Sequence, residues 1–428
     1  MRAIGVRQLA ATIFNYTVGS GIFALPATAA AQLGTAAPLA YVACAILMLL
    51  IAASFAEAGS RVSASGGPYA YIGSAFGPFV GLLAGIFLAV SALSGAAVIA
   101  TLFAGSALAL VNVPASSLTQ GAIVLGISVA AVIFNVRGVR WGVGVVEFMT
   151  TAKLVPLVLF VLVGASFVRP ENLAWAHVPD ATSVLATSGI VIFAFMGIES
   201  SLAPSGEVRD PHHTVPRAAF LALLAVCVLY LSVQAVAQGI LGPALGTTRI
   251  TPLAAAADAA VGGPGRAIML AGATVSMLGA LLGSFLINPR IVFAMARDHF
   301  LPRYIAAVHP VYRTPHRAIV ASAIVVVAMA VTGTFERLLI ISNISGLIVY
   351  ALVALSAVAL QRRDVRAGGA PFRCGGGPLV HVIALGGTAW MLSAIVSRND
   401  LIGLALMTAA TVVVYGARRL RGPVPISS

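Results

Sequence analysis

Two stretches of this sequence combine residues that would release main-chain hydrogen-bonding groups inside an apolar background and so could form a binding site. The first reads Asn15-Tyr16-Thr17-Val18-Gly19-Ser20-Gly21-Ile22-Phe23, with Pro26 shortly after. The second reads Phe193-Ala194-Phe195-Met196-Gly197-Ile198-Glu199-Ser200-Ser201, with Pro204 beyond. Glycine inside a helix costs about 1 kcal/mol relative to alanine, so both stretches favour a break. A break frees N–H and C=O groups from the helical ladder. The N–H groups that open a half-helix carry about half a positive charge and suit a carboxylate. The carbonyls that close a half-helix suit an ammonium. Thr17, Val18, Gly19, Ser20, Gly21 and Ile22 on one side, and Phe193, Ala194, Met196 and Gly197 on the other, are therefore candidate ligands. Two ionisable groups stand out nearby. Lys153 is the only lysine in the chain, and Glu199 belongs to the second stretch.

The elements that must position these residues are membrane spans. Of 428 residues, 60% are hydrophobic and 9% charged, and the mean hydropathy is +1.03. Soluble domains carry about 25% charged residues. A soluble enzyme, a secreted disulfide scaffold and a disordered protein are excluded, leaving an all-α integral membrane protein. The net charge of +13 might suggest nucleic acid, but the basic residues fall in short segments between apolar stretches. No nucleic-acid partner is expected. Cys44, Cys227 and Cys374 are too scattered for a metal site or an inferred disulfide. There is no Walker or G-x-S-x-G pattern and no His/Cys cluster, so no cofactor, metal or catalytic group is expected.

Twelve spans are predicted, at 9–33, 36–59, 79–111, 118–136, 143–167, 183–206, 216–241, 266–296, 317–333, 337–360, 378–396 and 401–416. Crossing takes about 20 helical residues, and 317–333 and 401–416 are at the short limit. With the N-terminus inside, eighteen arginines face the cytoplasm and five face outside. This asymmetry puts both termini in the cytoplasm. The two broken stretches lie in the first and sixth spans. An offset of five reverses the membrane orientation, which is the pattern of an inverted repeat with a site at the midplane. Gly81, Gly85, Gly95 and Gly279 are expected to serve close helix packing instead.

Four motifs in order resemble the amino acid–polyamine–organocation superfamily. They are Gly19-Ser20-Gly21-Ile22-Phe23-Ala24-Leu25-Pro26; Ser65-Gly66-Gly67-Pro68-Tyr69-Ala70-Tyr71 with Ala75-Phe76-Gly77; Gly206-Glu207-Val208-Arg209-Asp210-Pro211 with Val215-Pro216-Arg217-Ala218; and Asn288, Arg290 and Ala294-Met295-Ala296-Arg297-Asp298 with Leu301-Pro302. Asp210 stands where the family has Asn, His213 where Arg is usual, and His299 replaces Gly. The resemblance covers nearly the whole chain. It implies a LeuT-like fold: five-helix repeats over 1–170 and 171–376, then two more helices and a cytoplasmic tail over 377–428. It also implies alternating-access transport of amino acids or related amines across the cytoplasmic membrane, usually without sodium.

The family's backbone recognition mode maps onto the same broken stretches. Phe193 matches a tryptophan of the arginine/agmatine antiporters and is open to two roles, gating and core packing. Ser91, Ala92, Gly95, Ala96 and Ser284 would form a small, neutral wall, so neutral amino acids are expected above cationic ones. A lysine at the bilayer centre costs at least about 2.5–3.5 kcal/mol. Lys153 lies ten residues into its span, too deep for easy snorkelling. In several family members a lysine here takes the place of the sodium of coupled relatives. Lys153 and Glu199 are the candidate proton-coupling groups, with helix capping the alternative for Glu199. Glu57 and Glu147, near span ends, are expected at the interface. Glu207, Arg209 and Arg297 resemble cytoplasmic latch residues, with solvated loop charges the favoured reading of each alone. Obligatory exchange shares this fold. A channel predicts a continuous polar path, whereas the polar groups concentrate at one depth.

Overall fold

The computed structural model describes residues 5–62, 67–138, 143–175, 178–197, 211–248, 251–366 and 371–420, with the main chain alone for 143–150 and 211–212. Among these every regular element is helical. The first span is α1 (Val6–Thr17) and α2 (Gly21–Leu33), bent by 58° at the break between them. Next come α3 (Pro38–Arg61), α4 (Pro68–Phe76), α5 (Pro78–Leu110), α6 (Ser117–Val136), α7 (Val143–Gly164) and α8 (Ala181–Val191). The chain continues through α9 (Pro211–Leu241), α10 (Pro252–Val261), α11 (Gly263–Arg297), α12 (His316–Thr332), α13 (Phe335–Arg362), α14 (Pro378–Ile395) and α15 (Arg398–Arg419).

Among the described residues eight helices are long and apolar enough to cross a bilayer, or nine with the bent pair counted as one. The expected spans at 36–59, 79–111, 118–136, 216–241, 266–296, 337–360, 378–396 and 401–416 match α3, α5, α6, α9, α11, α13, α14 and α15. The last is longer than read, at 22 residues. At 17 residues α12 is short of a full crossing. The sixth span is helical from Ala181 to Phe195, and 198–206 lies outside the described residues. Two short helices, α4 and α10, fall in segments read as loops. Each has proline in its first turn and ends on a glycine at positive φ, Gly77 at 91° and Gly262 at 74°. That is the usual punctuation of a short helix.

A helix apolar on every side is surrounded by protein or by lipid. In α13, 67% of the apolar window is buried, against 11% in α15, so α13 is central and α15 peripheral. The central helices α5, α11 and α13 pack against one another through α5. Small residues allow the approach. A Cβ on Gly81 would come within 2.9 Å of Gly73 Cα, and one on Gly85 within 3.0 Å of the Tyr69 ring. Those two glycines serve packing as expected. On α8, Asp180 accepts hydrogen bonds from the Ser183 hydroxyl and N–H, which hold its carboxyl below the usual carboxylate value.

Glu57 departs from the interfacial position expected of it. It is fully buried, accepting from Arg61 at 2.9 Å, from the Cys374 N–H at 3.1 Å and pairing with His381 at 3.0 Å. His381 also bonds the Ser54 hydroxyl at 2.9 Å, and Arg61 donates to the Val365 carbonyl at 3.3 Å. The cluster ties α3 to α14 and to the segments flanking 367–370. Removing one member of a buried ion pair strands the other. Glu57→Ala is therefore expected to cost about 3–5 kcal/mol, read as a lowered Tm of the purified protein in detergent. An unchanged Tm would show that the cluster does not support the fold.

Candidate functional site

The first break forms where Val18 leaves the helix at ψ 88°, its N–H still bonded to the Phe14 carbonyl at 2.9 Å. The chain restarts at Gly21. Ser20 supplies no side-chain cap; the Phe23 N–H donates to the Ser20 carbonyl at 3.2 Å, and the amides of Gly21 and Ile22 before it have no helical partner. The second break follows α8, which tightens to a 3-10 turn at Ile192–Phe195 and gives way to extended Met196 (ψ 152°). Gly197 then adopts φ 116°, a region that favours glycine.

The two breaks fit into each other. A Cβ on Gly21 would sit 2.7 Å from Ala194 Cα, and one on Gly197 would sit 2.9 Å from the Tyr16 carbonyl oxygen. Tyr230 of α9 fastens the joint. Its hydroxyl proton is shared between the carbonyls of Thr17 at 3.0 Å and Ala194 at 2.9 Å. The fully buried ring packs edge-on against Tyr41 and Phe195.

Below the joint lies a cavity of about 350 Å³. Thr17, Val18, Gly19, Ser20, Gly21, Phe193, Ala194, Met196, Gly197, Ser91, Ser284 and Lys153 all line it. Ile22 does not: it is wholly buried in the protein. Glu199, Glu207 and Arg209 lie outside the described residues, as do Ser65-Gly66 and 206–210 of the motifs and the Glu147 side chain. Gly95 and Gly279, expected to serve packing, also line the cavity, and a Cβ on Gly95 would lie 3.2 Å from the Ser342 hydroxyl of α13, a close helix contact as expected. Gly95 leaves room for the Phe193 ring, 3.6 Å from where its Cβ would be. Ser91 and Ser342 each donate to the other's carbonyl at 2.9 Å, clamping α5 to α13. Asn288 donates to the Ala92 carbonyl at 2.9 Å, while Ser284 bonds back to Ala280 on its own helix.

Lys153 is 8% exposed, and its ammonium donates to the Asn15 carbonyl just before the first break. It does not snorkel. The hydroxyls of Thr17 and Ser276, both on the cavity wall, are buried without a hydrogen-bond partner. Such groups carry an energetic cost until something polar meets them.

The free carbonyls are fewer than the sequence suggests. Thr17 and Ala194 already accept from Tyr230, and Phe193 accepts from the Met196 N–H at 3.3 Å. Among the described residues, Val18 and Met196 are left with unengaged carbonyls. Amides at one edge and two carbonyls opposite can take a carboxylate and an ammonium together. Among the described residues no Asp or Glu lines the cavity. Along α11 it continues through Ile287, Asn288 and Ile291 toward the Arg297 end, with Tyr16 45% exposed on the α1 side.

Sequence reasoning missed Tyr230, Ser276 and Ser342. A buried tyrosine in an apolar helix signals a hydrogen-bonded hydroxyl, but nothing in the sequence says to which carbonyl.

Residues 4–417 match the family described as amino acid permease. The chain is 30% identical to an uncharacterised transporter of Mycobacterium tuberculosis, over 98% of this chain and 92% of that protein. It is 24% identical to the branched-chain amino acid permease BcaP of Bacillus subtilis, over 90% and 86%. It is 27% identical to the serine/threonine exchanger SteT of the same organism, over 98% and 97%.

Gly21→Ala and Gly197→Ala are each expected to cut uptake by the reconstituted protein at least about tenfold, since main chain blocks the added methyl on both sides. Gly126→Ala on α6, with nothing within 4 Å of its Cβ, should leave uptake unchanged. Tyr230→Phe keeps the ring but removes the shared donor, at about 1–3 kcal/mol. Normal uptake in all three joint variants would show that the two breaks need not interlock.

Proposed function

Because the chain belongs to the amino acid permease family, we propose that it moves neutral amino acids across the cytoplasmic membrane by alternating access, coupled to protons and independent of sodium. One observation carries this reading: unengaged main-chain groups of both signs meet at a cavity that no described carboxylate lines. The volume of about 350 Å³ is at the lower end of the roughly 300–1,000 Å³ of small-molecule sites. A cationic side chain would find no carboxylate among the described lining residues, and a neutral one needs none.

The cavity extends toward the Arg297 end of α11, which the arginine distribution assigns to the cytoplasm. On this reading the conformation faces inward, and the aromatic cluster of Tyr41, Phe195 and Tyr230 closes the opposite side. The repeats are 1–170 and 171–376, with 377–428 peripheral, in a twelve-span LeuT-like arrangement with both termini inside.

Lys153 supplies the coupling. A protonated amine holds the end of α1 through Asn15, and by the family resemblance it stands in for the sodium of coupled relatives. Losing the proton weakens that hold and shifts the balance between conformations. Glu199 is the second candidate. Obligatory exchange is the second reading, favoured by the similarity to a serine/threonine exchanger across nearly all of both chains.

The test is uptake of a panel of labelled amino acids into proteoliposomes, with and without pH and sodium gradients. Neutral amino acids should be taken up best, driven by an inward proton gradient and indifferent to sodium. Lys153→Ala should lose most of the response to the gradient. A sodium requirement, or a Lys153→Ala protein with unchanged rate and pH dependence, would contradict the coupling. A requirement for amino acid on the far side would select exchange.

A further inference from the structure

A second cavity, of about 380 Å³, lies away from the solute site, at the end of α3 that carries Arg61. Its apolar wall is Leu49, Ala52, Ala53 and Ala56 of α3, with Phe220 of α9. Its polar rim is Arg217 and His213 of α9 and Arg373 of the segment before α14. Arg217 is exposed and has no ion-pair partner among the described residues. Arg373 lies 3.7 Å from one oxygen of Asp364 while Arg366 holds the other at 2.5 Å, so two arginines share one carboxylate. No carboxylate lines the cavity among the described residues. Among the described residues the arginines of the rim therefore carry positive charge in excess of their carboxylate partners.

The apolar wall continues beyond the cavity. Val42, Ile46, Leu49, Ala53 and Ala56 are spaced four, three, four and three residues apart, which places them on one face of α3. The face is open at its far end, with Ile46 57% exposed on a helix that is otherwise more than half buried. Phe220, Leu224 and Val228 form a parallel exposed row on α9, which packs beside α3. An apolar track thus runs along the hydrocarbon depth and ends under two arginines and a histidine.

We propose that this cavity holds the phosphate of an anionic phospholipid from the cytoplasmic leaflet, with an acyl chain along the α3 face. The charge of the rim matches an anionic headgroup, and arginine is suited to bidentate phosphate contact. The track matches a chain that free phosphate lacks. The floor of the cavity is the strap Phe372–Cys374–Gly375, whose Cys374 N–H is bonded to Glu57 and whose Phe372 N–H is bonded to Ser60. A seated lipid would therefore press on the strap that joins α13 to α14 and fastens it to α3.

The experiment is thermal unfolding of the delipidated full chain in detergent, titrated with phosphatidylglycerol, phosphatidylcholine, or inorganic phosphate. Phosphatidylglycerol should raise Tm at concentrations about tenfold below those phosphatidylcholine needs, and phosphate alone should have no effect. The double variant Arg217→Gln/Arg373→Gln should lose that preference. Arg313→Gln/Arg419→Gln, which removes the same charge from exposed sites elsewhere, should keep it. If the first pair unfolds, Ala53→Phe, which fills the track and leaves the rim intact, should weaken the phosphatidylglycerol response on its own. The proposal fails if the rim variant keeps the full preference, if both double variants lose it equally, or if phosphate alone reproduces the shift.

Discussion

Main-chain N–H and C=O groups released at bilayer depth have no water to turn to, and everything in the centre of this protein follows from that constraint. Lipid tolerates only complete helices, so an interrupted one must be enclosed by protein and its loose ends met by specific partners. Two interruptions here are met largely by each other. Gly21 lies against Ala194, Gly197 lies against the Tyr16 carbonyl, and one buried hydroxyl, that of Tyr230, serves both chains. What the protein does not satisfy itself, at the amides opening α2 and the carbonyls of Val18 and Met196, faces a cavity. The unfinished part of the hydrogen-bond network is the binding surface proposed for the solute.

The same constraint explains why a single buried amine can matter so much. The ammonium of Lys153 reaches the Asn15 carbonyl, near the end of α1, rather than a carboxylate. A hold made through the main chain acts directly on where the helix stops. In the proposed coupling, solute and proton would bear on one structural joint from opposite sides, and a change at either would shift the angle between α1 and α2. By contrast, the ionic cluster of Glu57, Arg61 and His381 is fully partnered at its carboxylate and joins elements distant from the cavity. One set of buried charges ties elements together; the other sits where a helix can bend.

Much of this was readable in the chain because glycine and proline leave a strong mark on an apolar background. Gly19-Ser20-Gly21 and Met196-Gly197 could be placed at breaks from residue type alone, and Lys153 stood out as a lone lysine among arginines. The sequence was silent wherever a contact depended on rotation about a helix axis. α5 carries no charged residue and is largely apolar all round, so periodicity could not tell that Gly95 borders the cavity while Gly85 packs on Tyr69. Nor could it tell that Glu57, one turn before the end of α3, points inward to His381, more than 300 positions later. Ile22 was counted among the ligands because it follows the break, but a helix turns by about 100° per residue and carries it into the core.

The central claim is that the solute is held by main chain at the joint of two interrupted helices. The most direct measurement is an experimental structure with a neutral amino acid bound. The account predicts its carboxylate on the amides of Gly19, Ser20 and Gly21 and its ammonium on the Val18 and Met196 carbonyls. A carboxylate paired with Lys153 or another side chain, with α1 and α2 joined as one straight helix, would contradict it.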